Sequence, residues 1–199
     1  MKTTFTFSLL LCLVVSSFAQ KNKQDQIDMA VLAAPEAVRA GATVYGFADD
    51  GEMITIRKGT NNFIVRSDDP NKAGFEVVCY GVDAEPFMAR GRALRAEGLN
   101  FGEVLAQREK EAEWGELKMP NMGSILHIYS GQEASYNPAT KAIENAFYRY
   151  VIYMPGATTE SSGYPTKPNG EGGHPWLMYP GLHRAHIMLS PVKVPKKDN

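Results

Sequence analysis

Histidine side chains are concentrated near the end of this chain. Three of its four histidines, His174, His183 and His186, fall within thirteen residues, and Glu171 lies close by. Imidazole and carboxylate groups together can bind Zn²⁺ or act as a general acid and base. These four residues are the candidate catalytic group, and their chemistry would be that of a metal-assisted or His/Glu-dependent hydrolase.

The spacing of His183 and His186 favours a structural role. The surrounding segment Leu182–Leu189 has the pattern of a strand, in which positions three apart point to opposite faces of a sheet. We therefore predict no bound metal and no cofactor, with His186 packed beside a sheet and His183 in a turn after Pro180-Gly181. A helical turn just before the strand could place His183 and His186 on the same side, and a metal site would then be possible.

The other nucleophiles and bases lack a supporting motif. Cys79 alternates with Phe75 and Val77 in an apolar strand, which predicts an inert buried thiol. His127 lies between Ile125 and Tyr129, a position typical of a half-buried, hydrogen-bonded histidine. The chain has no Gly-x-Ser-x-Gly elbow, phosphate-binding loop or dinucleotide fingerprint. Whether it is an enzyme is left open.

Aromatic side chains in the C-terminal half indicate a second kind of site. Tyrosine and tryptophan combine an apolar ring with a polar tip, so they are frequent in binding surfaces. The candidate ligand-binding residues are Tyr164, Trp176 and Tyr179, although core packing explains such residues equally well. The partner would be a small molecule, a glycan or another protein.

The first half of the chain predicts a helix followed by strands. Apolar residues recur at helical spacing from Ile27 to Ala34, Pro35 interrupts that helix, and Gly41 ends it. Residues 42–82 then alternate with the period of a strand. They predict a four-stranded antiparallel meander made of Ala42–Phe47, Glu52–Lys58, Phe63–Arg66 and Phe75–Val82.

The second half predicts two more helices and four more strands. Asp83 can cap a helix that runs to Glu97, and Asn100 with Glu103 forms a capping box for the next. The predicted strands are Ser124–Tyr129, Phe147–Met154, Pro175–Tyr179 and Ala185–Ser190. Residues 155–173, rich in glycine and proline, predict a mobile loop. The fold class is α+β, a mainly antiparallel sheet with two to three helices packed on one face.

The start of the chain has the pattern of a cleavable signal peptide. Lys2 precedes an apolar run, and Ser17 and Ala19 provide the small residues that signal peptidase requires. The expected organisation is a signal peptide over 1–19, a polar leader over 20–26, one α+β domain over 27–192 and a basic tail over 193–199. We expect a periplasmic or extracellular protein.

The composition of the chain argues against nucleic-acid binding, a membrane span and an internal disulfide. The formal net charge is −1, and no cluster of Lys and Arg could neutralise a nucleic-acid backbone. No segment outside the signal peptide is apolar enough to predict a membrane span. Cleavage would leave Cys79 as the only cysteine, so the domain must be stabilised by its packed core.

Two short motifs of this chain are similar to motifs of a known group of proteins. Arg57-Lys58-Gly59-Thr60-Asn61 and Ala185-His186-Ile187-Met188 resemble elements of uncharacterised exported bacterial proteins. In that group a Trp and a Cys follow the Gly-Thr-Asn turn, whereas this chain has Phe63-Ile64-Val65. The group has no assigned activity, so the resemblance implies export and no catalytic residue.

Together these features predict an exported, non-enzymatic binding module for a small ligand, a glycan or a protein. The alternatives are the hydrolase centred on the C-terminal histidines and a structural or assembly protein of the envelope. Convergence of the four candidate catalytic residues in one pocket would favour the hydrolase.

Overall fold

The computed structural model describes residues 23–169, 174–189 and 192–193. The expected signal peptide, Glu171 and residues 194–199 of the basic tail lie outside these ranges. Within them the chain forms one large sheet with helices on both faces, together with a small two-stranded sheet.

The first four strands match the predicted segments but not the predicted pairing. They are β1 (Thr43–Phe47), β2 (Met53–Arg57), β3 (Phe63–Arg66) and β4 (Phe75–Gly81). β1 and β2 form the antiparallel hairpin expected at Asp50-Gly51, but β1 pairs parallel with β3. The prediction of a simple antiparallel meander is therefore wrong. β2 lies at the sheet edge, and most of its residues are therefore at least partly exposed. In β3, by contrast, Ile64 and Val65 are buried on opposite faces of the sheet.

The remaining strands complete the large sheet on the other side of β4. They are β5 (Ile125–Gly131), β8 (Phe147–Tyr153), β9 (Pro175–Met178), β10 (His186–Leu189) and β11 (Val192–Lys193). The order is β2-β1-β3-β4-β5-β8-β10-β9, and β11 also pairs with β8. All pairs except β1–β3 are antiparallel. A separate hairpin of β6 (Ser135–Asn137) and β7 (Ala142–Glu144) was not predicted from the sequence.

Helices occupy both faces of the sheet. In chain order they are α1 (residues 23–31), α2 (Glu36–Arg39), α3 (Glu85–Ala96), α4 (Phe101–Glu113) and α5 (Thr159–Ser162). Residues 23–26, which the sequence assigned to the polar leader, belong instead to α1. The Gln26 amide holds them in place, because it donates to the Phe47 carbonyl and accepts from the Phe47 amide. Pro35 separates α1 from α2, as predicted.

Strand alternation divides the core between two faces. The α3 face carries Ile64, Val78, Tyr80, Leu126 and Ile128, which pack with Phe87 of α3. The α1 face carries Val44, Val65, Val77 and Cys79, which pack with three alanines of α1 and the turn after it. This arrangement confirms an α+β fold with a mainly antiparallel sheet, in which α3 and α4 lie on the same side.

The start of α4 agrees with the sequence, and two charged residues of this helix are buried. The side chains of Asn100 and Glu103 form the expected capping box. Phe101 is 64% exposed, whereas Arg108 and Glu111 are buried. The buried charges are tolerated because Glu111 accepts hydrogen bonds from Arg90 and because Arg108 lies 3.8 Å from the centre of the Phe87 ring.

The segment after β8 packs more closely than its composition suggested. Ala157 is buried, Tyr164 packs against Leu177, and the Pro165 carbonyl accepts a hydrogen bond from the Leu177 amide. Thr158 and Ser161 cap the short helix α5 in this segment. The described part of the predicted mobile loop thus covers β9 on the α1 face. None of the described helices combines the length and apolarity that crossing a membrane requires.

Candidate functional site

The predicted site residue His183 lies in the turn between β9 and β10 and contacts helix α4. Its backbone N and its Nδ1 are 2.7 and 3.0 Å from Oε1 of Glu109, and Nη1 of Arg184 is 2.8 Å from Oε2. Partial burial alone would raise the pKa of Glu109, but the hydrogen bonds from His183 and the charge of Arg184 hold that pKa below its ordinary value. This carboxylate therefore fastens the turn to α4.

The contact between this turn and α4 also brings together the described residues best placed to hold a metal ion. One ligand atom each from Glu109, Glu113 and His183 lies within 4.8 Å of the others. Glu109 already accepts three N–H groups, however, and one of them belongs to the Arg184 guanidinium. A cation would have to displace these donors, so the geometry favours a structural contact.

His186 is half-buried among aromatic rings. Its Nδ1 is 2.8 Å from the Arg184 carbonyl oxygen, and its ring packs edge-on against Tyr153 and Tyr179 at 5.8 and 5.7 Å. Burial lowers the pKa of His186, which favours the neutral imidazole. His186 packs beside the sheet, and His183 lies in a turn, as their sequence positions predicted.

Of the other predicted site residues, Tyr179 contacts His186, and Trp176 lies on the same face of the sheet as His186. His174 is exposed just before β9, and Glu171 lies outside the described residues. Trp176 pairs with Met188, whereas its neighbour Leu177 faces the other side of the sheet and contacts Tyr164. Tyr164 and Trp176 are thus on opposite faces.

A better candidate site appears where the α3 face extends beyond its helical cover. Register pairs join Arg66, Val78, Ile128 and Arg149 in one row across β3, β4, β5 and β8. The two inner residues of this row are buried in the core, and the two outer ones are arginines. The row therefore marks the edge of the apolar core and places two guanidinium groups on the same face.

The next row outward forms part of a groove. It contains Glu76, Ser130 and Phe147 on neighbouring strands, and the Phe147 ring is 42% exposed. Together with the β3–β4 loop, the two rows surround a cavity of about 450 Å³. We call it the arginine groove and define it by Arg66, Asp68, Glu76, Ser130, Phe147 and Arg149. Its volume is within the range of small-molecule sites.

Glu76 lies between the two arginines but neutralises mainly one of them. Its Oε1 is 2.8 Å from Nη2 of Arg66, whereas its Oε2 is 4.0 Å from Nη2 of Arg149. The Nε atom of Arg149 is buried and has no hydrogen-bond partner in the described part of the chain. Arg149 thus keeps donors for an additional anion.

The opposite side of the groove carries an acidic side chain. Asp68 is half-buried, and its Oδ1 accepts a hydrogen bond of 2.8 Å from the Glu76 amide. Burial is the largest influence on this group and raises its pKa. The groove therefore combines three cationic side chains, Arg66, Lys72 and Arg149, with three acidic ones, Asp68, Asp69 and Glu76.

A separate group of aromatic side chains lies on the α1 face of β5 and β8. His127 Nδ1 is 2.8 Å from the Tyr148 hydroxyl, and the Tyr148 ring contacts those of Tyr129 and Tyr150 at 4.3 and 4.7 Å. Burial lowers the pKa of His127 and raises those of Tyr129 and Tyr148. We call these four residues the aromatic cluster. At neutral pH it is uncharged and offers stacking surfaces.

Sequence analysis missed the arginine groove. One feature pointed to it, because Arg149 alternates with Val151 and Tyr153, both of which belong to the core side of β8. A charge at such a position is unusual and needs a partner or a function. Comparison with protein-family models, with curated proteins and with solved structures finds no match to this chain.

Proposed function

We propose that this chain is an exported, non-enzymatic binding module whose arginine groove takes a small ligand bearing a carboxylate or phosphate group. Export is supported by the signal-peptide pattern of residues 1–19. The binding role is supported by the incomplete pairing of Arg149 and by the volume of the groove.

The observation that carries the proposal is the incomplete pairing of Arg149. A guanidinium group has five N–H donors, and a buried donor without a partner costs free energy. Among the described residues, the one carboxylate within salt-bridge distance of Arg149 is that of Glu76, at the 4.0 Å limit. A carboxylate or phosphate ligand would complete this pairing, since both match the planar guanidinium with two parallel hydrogen bonds.

The composition of the groove favours binding over hydrolysis. The residues that line it include no histidine and no cysteine. His183 and His186 use their Nδ1 atoms in contacts within the protein and lie at another part of the sheet. The exposed Phe147 ring offers an apolar wall, so the ligand should combine its anionic group with an apolar part.

Isothermal titration calorimetry with benzoate and with inorganic phosphate tests this function. The variants are Arg149→Gln and, as a matched control, Arg95→Gln, which removes an exposed arginine of α3. Charge-assisted hydrogen bonds contribute about 1.5–3 kcal/mol, so Arg149→Gln should weaken binding roughly 10- to 100-fold. Arg95→Gln should bind like the wild type.

Two results would contradict the proposal. One is that neither anion binds the wild-type protein. The other is that both variants bind as the wild type does, which would exclude Arg149 as the anchor. Saturable binding of a neutral oligosaccharide, lost in Tyr148→Ala but kept in Arg149→Gln, would instead assign binding to the aromatic cluster.

A further inference from the structure

The arginine groove adjoins a second groove whose charged lining residues are acidic. The second groove has a volume of about 420 Å³, and its lining includes Asp49, Asp50, Phe47 and Asn71. Asp68 lines both grooves and therefore lies where they meet. We call the second one the acidic groove, defined by these five residues.

The Asp68 carboxylate has no cationic partner within salt-bridge distance among the described residues. The nearby cations are already paired, because Lys72 contacts Asp69 at 3.3 Å and Arg66 contacts Glu76 at 2.8 Å. The Asp68 carboxylate accepts its hydrogen bonds from neutral backbone amides, that of Glu76 at 2.8 Å and that of Asp69. Asp68 and Arg149 are thus two incompletely neutralised groups of opposite sign in the same cavity.

The positions of these two groups set the size of a ligand that reaches both. Asp68 follows the end of β3, and Arg149 is on β8, so three strand spacings separate them, about 14 Å between backbone positions. The two side chains shorten this distance but do not remove it. An α-amino acid carries its ammonium and carboxylate groups on one carbon, whereas a dipeptide separates them by a peptide unit and so spans more of the distance between Asp68 and Arg149.

We propose that the ligand of the arginine groove is a zwitterion with its ammonium and carboxylate several bonds apart, of the kind that a short peptide presents. The inference rests on the proposed anion-binding function and adds a second charged group. The carboxylate binds Arg149, the ammonium binds Asp68 at the entrance of the acidic groove, and an apolar side chain contacts Phe147. The negative charges of Asp49 and Asp50 favour a cation at that end.

Calorimetry with the dipeptide glycyl-phenylalanine and its two blocked forms tests this assignment. On the wild-type protein, N-acetylation and C-amidation should each weaken binding by about tenfold or more, since each removes one charge pair. In Asp68→Asn, the free and N-acetylated dipeptides should bind equally. In Glu116→Gln, which removes an exposed carboxylate outside both grooves, the difference between them should stay as in the wild type.

The outcomes distinguish the two proposals. If N-acetyl-glycyl-phenylalanine binds the wild-type protein as tightly as the free dipeptide while C-amidation abolishes binding, the zwitterion is wrong and the anion site stands. If C-amidation has no effect, the anion site itself is wrong. The comparison of ligands on the wild-type protein does not depend on any variant folding, and equal binding of all three forms would overturn both proposals.

Discussion

At the scale of single residues, the position of Arg149 follows from the alternation of β8. Phe147, Val151 and Tyr153 lie on one side of this strand, and Val151 and Tyr153 belong to the core. The same alternation assigns Arg149 to that side. What the sequence could not predict is that the helical cover ends at this residue, because that depends on how α3 packs across the sheet.

Removing the Glu76 carboxylate should strengthen anion binding. Glu76 contacts both arginines, so its negative charge competes with that of a ligand for the guanidinium of Arg149. We expect Glu76→Gln to increase the affinity for benzoate severalfold in calorimetry. Glu116→Gln is the control for the change in net charge and should have little effect. A weaker affinity in Glu76→Gln would mean that Glu76 organises the site instead of competing for it.

Cys79 should react slowly with thiol reagents in the native protein. Its side chain is completely buried in β4, and burial raises the pKa of its thiol to about 12. The thiolate is the reactive form, so we expect labelling at pH 8 to be at least about 100-fold slower than in urea. Peptide mass spectrometry of iodoacetamide-treated protein would measure the rate at this cysteine. Equal rates in the folded and unfolded protein would disprove the burial of β4.

At the scale of elements, the sequence predicted strands better than it predicted their partners. Alternation within Phe63–Arg66 identified β3 with its bounds, since the period of a strand is a local property. The parallel pairing of β1 with β3 is not local, and it places β2 at the sheet edge. Apolar residues on both sides of β3 are typical of a central strand, but they do not specify its neighbours.

The contact between α4 and the β9–β10 turn should depend on pH. The pKa of Glu109 is below its ordinary value of 4.5, so its stabilising effect is present above pH 4.5 and lost as the pH falls through the lower, folded-state pKa. Glu109→Gln keeps the shape but not the charge. The midpoint of thermal unfolding should therefore fall less steeply below pH 4.5 in this variant than in the wild type.

The control for this prediction is a glutamate outside the contact. Glu116→Gln removes an exposed carboxylate beyond the end of α4, and its unfolding midpoint should follow the wild-type curve. Parallel curves for Glu109→Gln and the wild type over the acidic range would show that the Glu109 charge contributes nothing to the attachment of the turn.

At the scale of the whole molecule, the residues that form the most visible cluster in the sequence are not those that form the candidate site in the structure. Three histidines close together in sequence gave the most visible cluster, yet His183 binds a helix and His186 fills a gap among aromatic rings. The residues of the arginine groove come from β3, β4, β5 and β8, which are far apart in sequence. Only the order of strands brings them together, so no local pattern could have revealed the groove.

The central claim is that Arg149 contacts an anionic ligand, and the NMR signal of its Nε–H group tests this most directly. This Nε–H group belongs to the same delocalised guanidinium as the exposed nitrogens of Arg149, so its resonance should change when an anion binds them. Titration with benzoate should shift the Arg149 signal saturably and leave that of the exposed Arg95 unchanged. Saturable benzoate binding with an unshifted Arg149 signal would contradict the account.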